Sequence, residues 1–240
     1  MKQLTDYGDE RNRGFCVHCG AKTETRDHVP SKVFLDKPYP TNLPIVPSCR
    51  SCNNSFSLDE EYLACLIDCV LAGSEDNAKL SRPKVRRILL AKPALRSRLE
   101  SARYQTEGGI ALTVECQRVR NVILKLARGH AAFELNEPQL DEPSDVAFLP
   151  VGEMTSEVRE GFETPLLPRV SPEVGSRAMQ RLLIACSLDS HDRFPLAPGW
   201  LNVQSGRYRY CTCYDGPVSV RIVLSEYLAC QVLWQPVAHP

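Results

Sequence analysis

The chain has 240 residues, 43% of them hydrophobic and 24% charged, an ordinary globular composition with room for one sizeable domain or two small ones. Its 29 basic and 29 acidic residues cancel, so net charge alone does not point to nucleic acid, and no apolar run approaches the roughly 20 residues of a membrane span. Eleven cysteines, an odd number, occur in a chain whose residues 1–14 are polar and lack the apolar stretch of a signal peptide. This argues against a secreted disulfide framework and predicts a soluble cytoplasmic protein whose clustered cysteines hold metal.

In chain order the pattern predicts an α+β protein. Residues 1–14 read as a polar lead-in. Residues 15–56 are rich in Cys, Pro, Ser and Asn and too poor in periodic apolar residues to fold without a metal as their core. Residues 57–135 form a helical region. Ser57 and Glu60 fit a capping box ahead of the apolar run 62–71, which Gly73 closes. A basic helical segment follows over 82–103, interrupted by Pro93 and ending before Gly108. Val119, Val122, Ile123 and Leu126 have helical spacing, with Gly129 as a stop. Residues 136–240 begin with an acidic loop segment containing a short strand over 146–151, then a helix over 176–187. The C-terminal part is antiparallel β: Tyr208, Tyr210, Thr212 and Tyr214 alternate, Asp215-Gly216 is a hairpin turn, and a β-branched run covers 218–224. Residues 227–233 fit a further strand or a short helix.

The zero net charge hides an uneven distribution. Arg82, Lys84, Arg86, Arg87, Lys92, Arg96, Arg98 and Arg103 crowd one segment, opposed only by Glu100. Between Glu134 and Glu163 the sign reverses, with Arg159 the only basic residue. Each segment is a solvated face or part of an interface, and the acidic one could mask the basic one.

The strongest local signal is a pair of matching knuckles, Cys16-Val-His-Cys19 and Cys49-Arg-Ser-Cys52. Two residues between thiolates let both sulfurs face one point, and two such turns complete a tetrahedral four-sulfur shell, the closed arrangement of structural Zn2+. Four thiolates fill that shell, so His18 reads as an exposed knuckle residue. Cys65 and Cys69, at i and i+4 in an apolar helix, read as core. Cys211 and Cys213 share a strand face with no partner pair. Lys125, Arg128 and His130 either complement a helix C-terminus or line a groove. Trp200 and Trp234 read as core or interface residues.

What lies between the knuckles carries chemistry. Arg26-Asp27-His28-Val29-Pro30-Ser31-Lys32, then Asn42-Leu43, then Cys49-Arg50-Ser51-Cys52-Asn53-Asn54, resembles the zinc-bound form of the HNH endonuclease family over residues 15–56. The resemblance implies a ββα-metal module, a hairpin carrying Asp27 and His28 followed by a helix that begins near Asn53. It implies His28 as the general base that activates water. It implies Asp27 and Asn53 as ligands of an oxygen-only Mg2+ or Mn2+ site, and Asn42 as a brace for the base. The spacing from Asn42 to Cys49 is about two residues longer than the usual pattern, which weakens that last assignment. Neighbouring strand residues point to opposite faces, so Asp27 and His28 share a site only if the strand ends there, as Pro30 suggests.

Lys32 and Arg50, with Arg82, Arg86 and Arg87 of the basic segment, are the candidates for contact with nucleic-acid phosphates. The implied function is hydrolysis of phosphodiester bonds in DNA, RNA not being excluded, in a restriction or phage-defence setting. A homo-oligomer or a partner complex is compatible with it, and activity could be conditional on a signal. The competing expectation is a non-catalytic zinc module that binds nucleic acid or protein.

Overall fold

A computed structural model describes residues 10–41, 43–106, 109–165, 173, 175–181 and 199–235. The chain is α+β, and the first sheet is a small hairpin. Strand β1 (Thr25–His28) pairs antiparallel with β2 (Ile45–Ser48), placing Asp27 opposite Val46 and His28 opposite Ile45. One residue later α1 (Arg50–Ser55) begins, and Phe56 links it to α2 (Ser57–Ala72). The expected capping box at Ser57 is absent. The preceding helix has already turned the chain, so the Ser57 hydroxyl donates to the Asn54 carbonyl instead. Gly73 ends α2 at φ 61°, a left-handed conformation that glycine adopts without strain.

The basic segment splits at its prolines as expected. Helices α3 (Pro83–Ala91) and α4 (Pro93–Ser101) each open on proline, where a missing N–H costs nothing. The segment then ends in a hairpin that the sequence did not announce: β3 (Arg103–Thr106) pairs with β4 (Gly109–Leu112). Helix α5 (Cys116–His130) is amphipathic and buries Val119, Val122, Ile123 and Leu126.

Gly129 does not stop α5, because the helix runs on through it into a wider π-turn over Ala131–Leu135. Its role is close approach. A Cβ there would lie 2.5 Å from Cγ2 of Val29, the residue after His28. Gly129 therefore lets α5 press against the end of β1. Gly129→Ala should destabilise the chain by about 1–3 kcal/mol through this clash, read from chemical denaturation midpoints. An unchanged midpoint would show that the two elements have slack.

Strand β5 (Asp145–Pro150) joins the C-terminal sheet, and α6 (Ser156–Glu163), capped by the Thr155 hydroxyl, lies in a stretch expected to be loop. With β6 (Leu201–Gln204), β7 (Tyr208–Tyr214), β8 (Val218–Leu224) and β9 (Leu228–Trp234), β5 forms an antiparallel sheet ordered β5-β9-β8-β7-β6. The stretch over 227–233 is thus a strand. Every residue of β8 is buried because both faces of the sheet are covered. Val218, Val220, Ile222 and Leu224 join the helical core, whereas Val223 packs with Phe162 of α6. Residues 177–181 are helical, and the rest of the helix expected over 176–187 lies outside the described residues.

One core connects these parts. Val33, Phe34, Leu35 and Leu43, from the segment joining β1 to β2, share a cluster with α2, α3, α5 and the large sheet. Cys65 and Cys69 are core residues, and Trp234 is buried in the same cluster. Among the described residues no helix is long and apolar enough to cross a membrane.

Candidate functional site

The two knuckles converge. The Sγ atoms of Cys16, Cys19, Cys49 and Cys52 all lie within 4.8 Å of one another, with Cys19 and Cys49 at 3.8 Å. A tetrahedron with metal–sulfur bonds of about 2.3 Å has edges of about 3.8 Å, so the donor set matches such a shell. Local backbone geometry explains the convergence. Gly20, at φ 75°, turns the first knuckle, and its N–H donates to the Cys16 carbonyl. The second knuckle opens α1, where Cys49 is the N-cap and its sulfur accepts from the Cys52 N–H at 3.3 Å. Burial raises the Cys16 pKa, but backbone N–H groups of Cys49, His18 and Cys19 outweigh it and bring the thiol down to about 7. The four side chains could hold a metal ion such as zinc.

Beside the knuckles, β1 ends at His28, so Asp27 and His28 stand at the terminus of the strand, as the following proline suggested. Asp27 is buried and His28 half-buried. Asn53 lies on α1 and donates from Nδ2 to the Thr25 hydroxyl at 3.3 Å, tying the helix to β1 two residues before Asp27. Asn54 is exposed. Asn42 lies outside the described residues.

Around Asp27 the structure assembles groups that sequence reasoning missed. His18 is not an exposed knuckle residue. It is 3% exposed, its Nε2 lies 3.4 Å from Asp27 Oδ2, and it meets the Phe56 ring edge-on. Lys125 reaches in from α5, with its side chain only 2% exposed. Its Nζ sits 2.8 Å from Asp27 Oδ2, donates to the Ser31 hydroxyl at 2.8 Å, and pairs with Glu60 of α2. The Ser31 hydroxyl donates to the same Glu60 carboxylate. The Phe56 ring lies 5.7 Å from Nζ. Helical spacing held the clue: Lys125 follows buried Val122 by three residues and precedes Gly129 by four, a cation on the apolar face of its helix.

Arg128 and His130 stand in the last turn of α5 as expected, but they and Lys125 are buried. Arg128 donates to the carbonyls of His18, Leu140 and Asp141, locking the first knuckle to α5. His130 is fully buried against the Tyr208 hydroxyl at 2.7 Å, and burial drives its pKa down to about 3.

The electrostatics follow from this packing. Burial raises the Asp27 pKa, but contact with His18 and the Lys125 charge prevail and hold it below the usual carboxylate value. His28 is pushed below the ordinary histidine value, first by burial and then by the Lys32 charge, with Asp27 opposing.

Asp27 and Asn53 have the oxygen chemistry of a Mg2+ or Mn2+ site, but Oδ2 of Asp27 does not fit such an ion. It already has an ammonium at 2.8 Å, and a divalent cation cannot share that oxygen with Nζ.

The nucleic-acid candidates separate. Arg82 is buried and committed to Asp36 and to the carbonyls of Val33 and Leu35, so it is a structural clamp. Lys32 and Lys84 both lie over the Tyr39 ring, at 5.9 and 5.8 Å, and neither is in an ion pair among the described residues. Arg87 and Arg50 are exposed and Arg86 half-exposed. Lys92, Arg96, Arg98 and Arg103 pair with Glu61, Glu100, Glu115 and Glu75. Among the described residues no ion pair joins this basic segment to the acidic one over 134–163.

No protein-family model, curated protein or solved structure matches the chain.

Proposed function

We propose that this chain is a zinc-stapled nuclease of the HNH kind, hydrolysing phosphodiester bonds in DNA, with His28 as general base. The observation that carries this reading is the meeting of three elements at one place. Asp27 and His28 end β1, Asn53 of α1 is tied to that strand, and the four-cysteine cluster pins hairpin and helix together. Zinc is the ion proposed for the four thiolates, in a structural role.

His28 would take a proton from water near neutral pH as the water oxygen bonds to phosphorus, the bond from phosphorus to the departing ester oxygen breaks, and that oxygen takes a proton from solvent. Its depressed pKa keeps the imidazole neutral, as a base must be. Lys32 places positive charge beside His28, which favours approach of a phosphate. Lys32, Lys84, Arg86, Arg87 and Arg50 are the residues proposed to track the nucleic-acid backbone. No step depends on a second cation, because Asp27 already has Lys125 as its counter-ion. The same pair favours a second reading, a non-catalytic zinc module that binds nucleic acid or protein without cutting it.

Zinc-loaded protein incubated with supercoiled, linear and single-stranded DNA and with RNA tests the reading, with and without added Mg2+ or Mn2+. Cleavage of DNA is expected, and binding without cleavage of any substrate would favour the second reading. The rate should rise with pH along a limb whose midpoint lies below 6.5, the ordinary histidine value, and level off by neutrality. A midpoint above 6.5 would remove His28 from the role of base.

A further inference from the structure

The geometry points to Lys125 as a built-in cation that fills the place at Oδ2 of Asp27 where an oxygen-only site would take a divalent metal, so that this oxygen is closed to Mg2+ and Mn2+. The inference rests on the nuclease reading only in taking Asp27 as the site carboxylate.

Lys125 is not a chance surface pairing. Lysine is seldom fully buried, because desolvating an ammonium is costly unless it is paired and hydrogen-bonded. Here it is 2% exposed and every direction is satisfied: Asp27 and Glu60 supply two carboxylates, Ser31 a hydroxyl, and Phe56 a ring face. These partners come from β1, α2, the turn after β1 and the α1–α2 junction, a convergence of oxygen donors from separate elements of the kind that metal sites use. The ring face in that shell suits an ammonium and offers a hard divalent ion no oxygen.

The position is also fixed from behind. Gly129, one turn on, lets α5 press against Val29, which sets the helix carrying Lys125 close to the end of β1. His18 lies against the same oxygen, its Nε2 3.4 Å from Asp27 Oδ2. A metal entering at Oδ2 of Asp27 would have to displace the ammonium, leaving it only Glu60 and Ser31 as polar partners.

The test is uptake of Mn2+ by the full, zinc-loaded chain, followed through the electron paramagnetic resonance signal of free Mn2+. Wild type should leave Mn2+ free through the low millimolar range. Lys125→Met should take up one ion per chain at least about tenfold more tightly, and adding Asp27→Asn to it should abolish that uptake. Lys125→Gln, which keeps donors toward Asp27 and Glu60 but loses the charge, should gain affinity in the same direction. Tight uptake by wild type that Asp27→Asn removes would overturn the inference, and that arm needs no Lys125 variant to fold. A Lys125→Met protein with its zinc and wild-type circular dichroism that still leaves Mn2+ free would overturn it as well. None of these readings involves cleavage, so failure of the nuclease proposal would show separately in the DNA assay.

Discussion

Stripping zinc from the chain should unfold residues 15–56 and take the candidate site with them. Structural zinc in small modules contributes on the order of 10 kcal/mol or more, comparable with the whole stability of an ordinary domain. Apart from the four cysteines, the first knuckle and the two strands are held by the small cluster of Val17, Val29, Val46 and Phe133 and by the contacts of Arg128 and Lys125 from α5. Cys49→Ser should have a similarly large effect, since Cys49 also caps α1. Limited proteolysis before and after chelation checks this: new cuts within residues 15–56 are expected. A knuckle that stays protease-resistant without metal would mean that packing alone holds it.

The second large effect concerns the buried charges. Lys125→Met should destabilise the fold by about 3–5 kcal/mol, because it leaves Asp27 and Glu60 buried without their counter-ion. The double substitution Lys125→Met with Asp27→Asn should lose less than the sum of the two single changes, since neither partner then retains an orphaned charge toward the other. Denaturant titration of the four proteins measures the coupling. Strict additivity would mean that the 2.8 Å contact carries no energy.

Much of the architecture could be read before any coordinates because local chemistry enforced it. The spacing of Cys16, Cys19, Cys49 and Cys52 required a four-sulfur cluster, and the alternation from Tyr208 to Tyr214 required a strand. Pro93 had to divide the basic segment. The errors arose where tertiary contact overrode local preference. Gly129 looked like a helix stop, but its missing side chain serves contact with Val29, a residue 100 positions away in sequence. Arg82 looked like one surface charge among eight, yet Asp36 and two carbonyls of the turn after β1 enclose it.

The candidate site divides in the same way. Asp27, His28 and Asn53 were legible from a short ordered pattern. The groups that set their electrostatics were not, because His18, Glu60 and Lys125 reach Asp27 or its neighbour from three elements. Nothing in the order of residues 15–56 announces that a lysine beyond the module completes it. An open oxygen-only metal site was therefore the natural expectation, and a carboxylate with an internal ammonium 2.8 Å from Oδ2 is what the structure shows.

The central claim is that His28 performs the chemistry at the end of β1. The most direct measurement is the rate of plasmid cleavage by His28→Ala relative to wild type, with both proteins shown to hold one zinc and to share one circular dichroism spectrum. Removing a general base should cost at least about 100-fold in rate, and zinc content and fold should not change, because His28 is half-buried and holds none of the four-cysteine cluster. Equal cleavage by the two proteins would contradict the account.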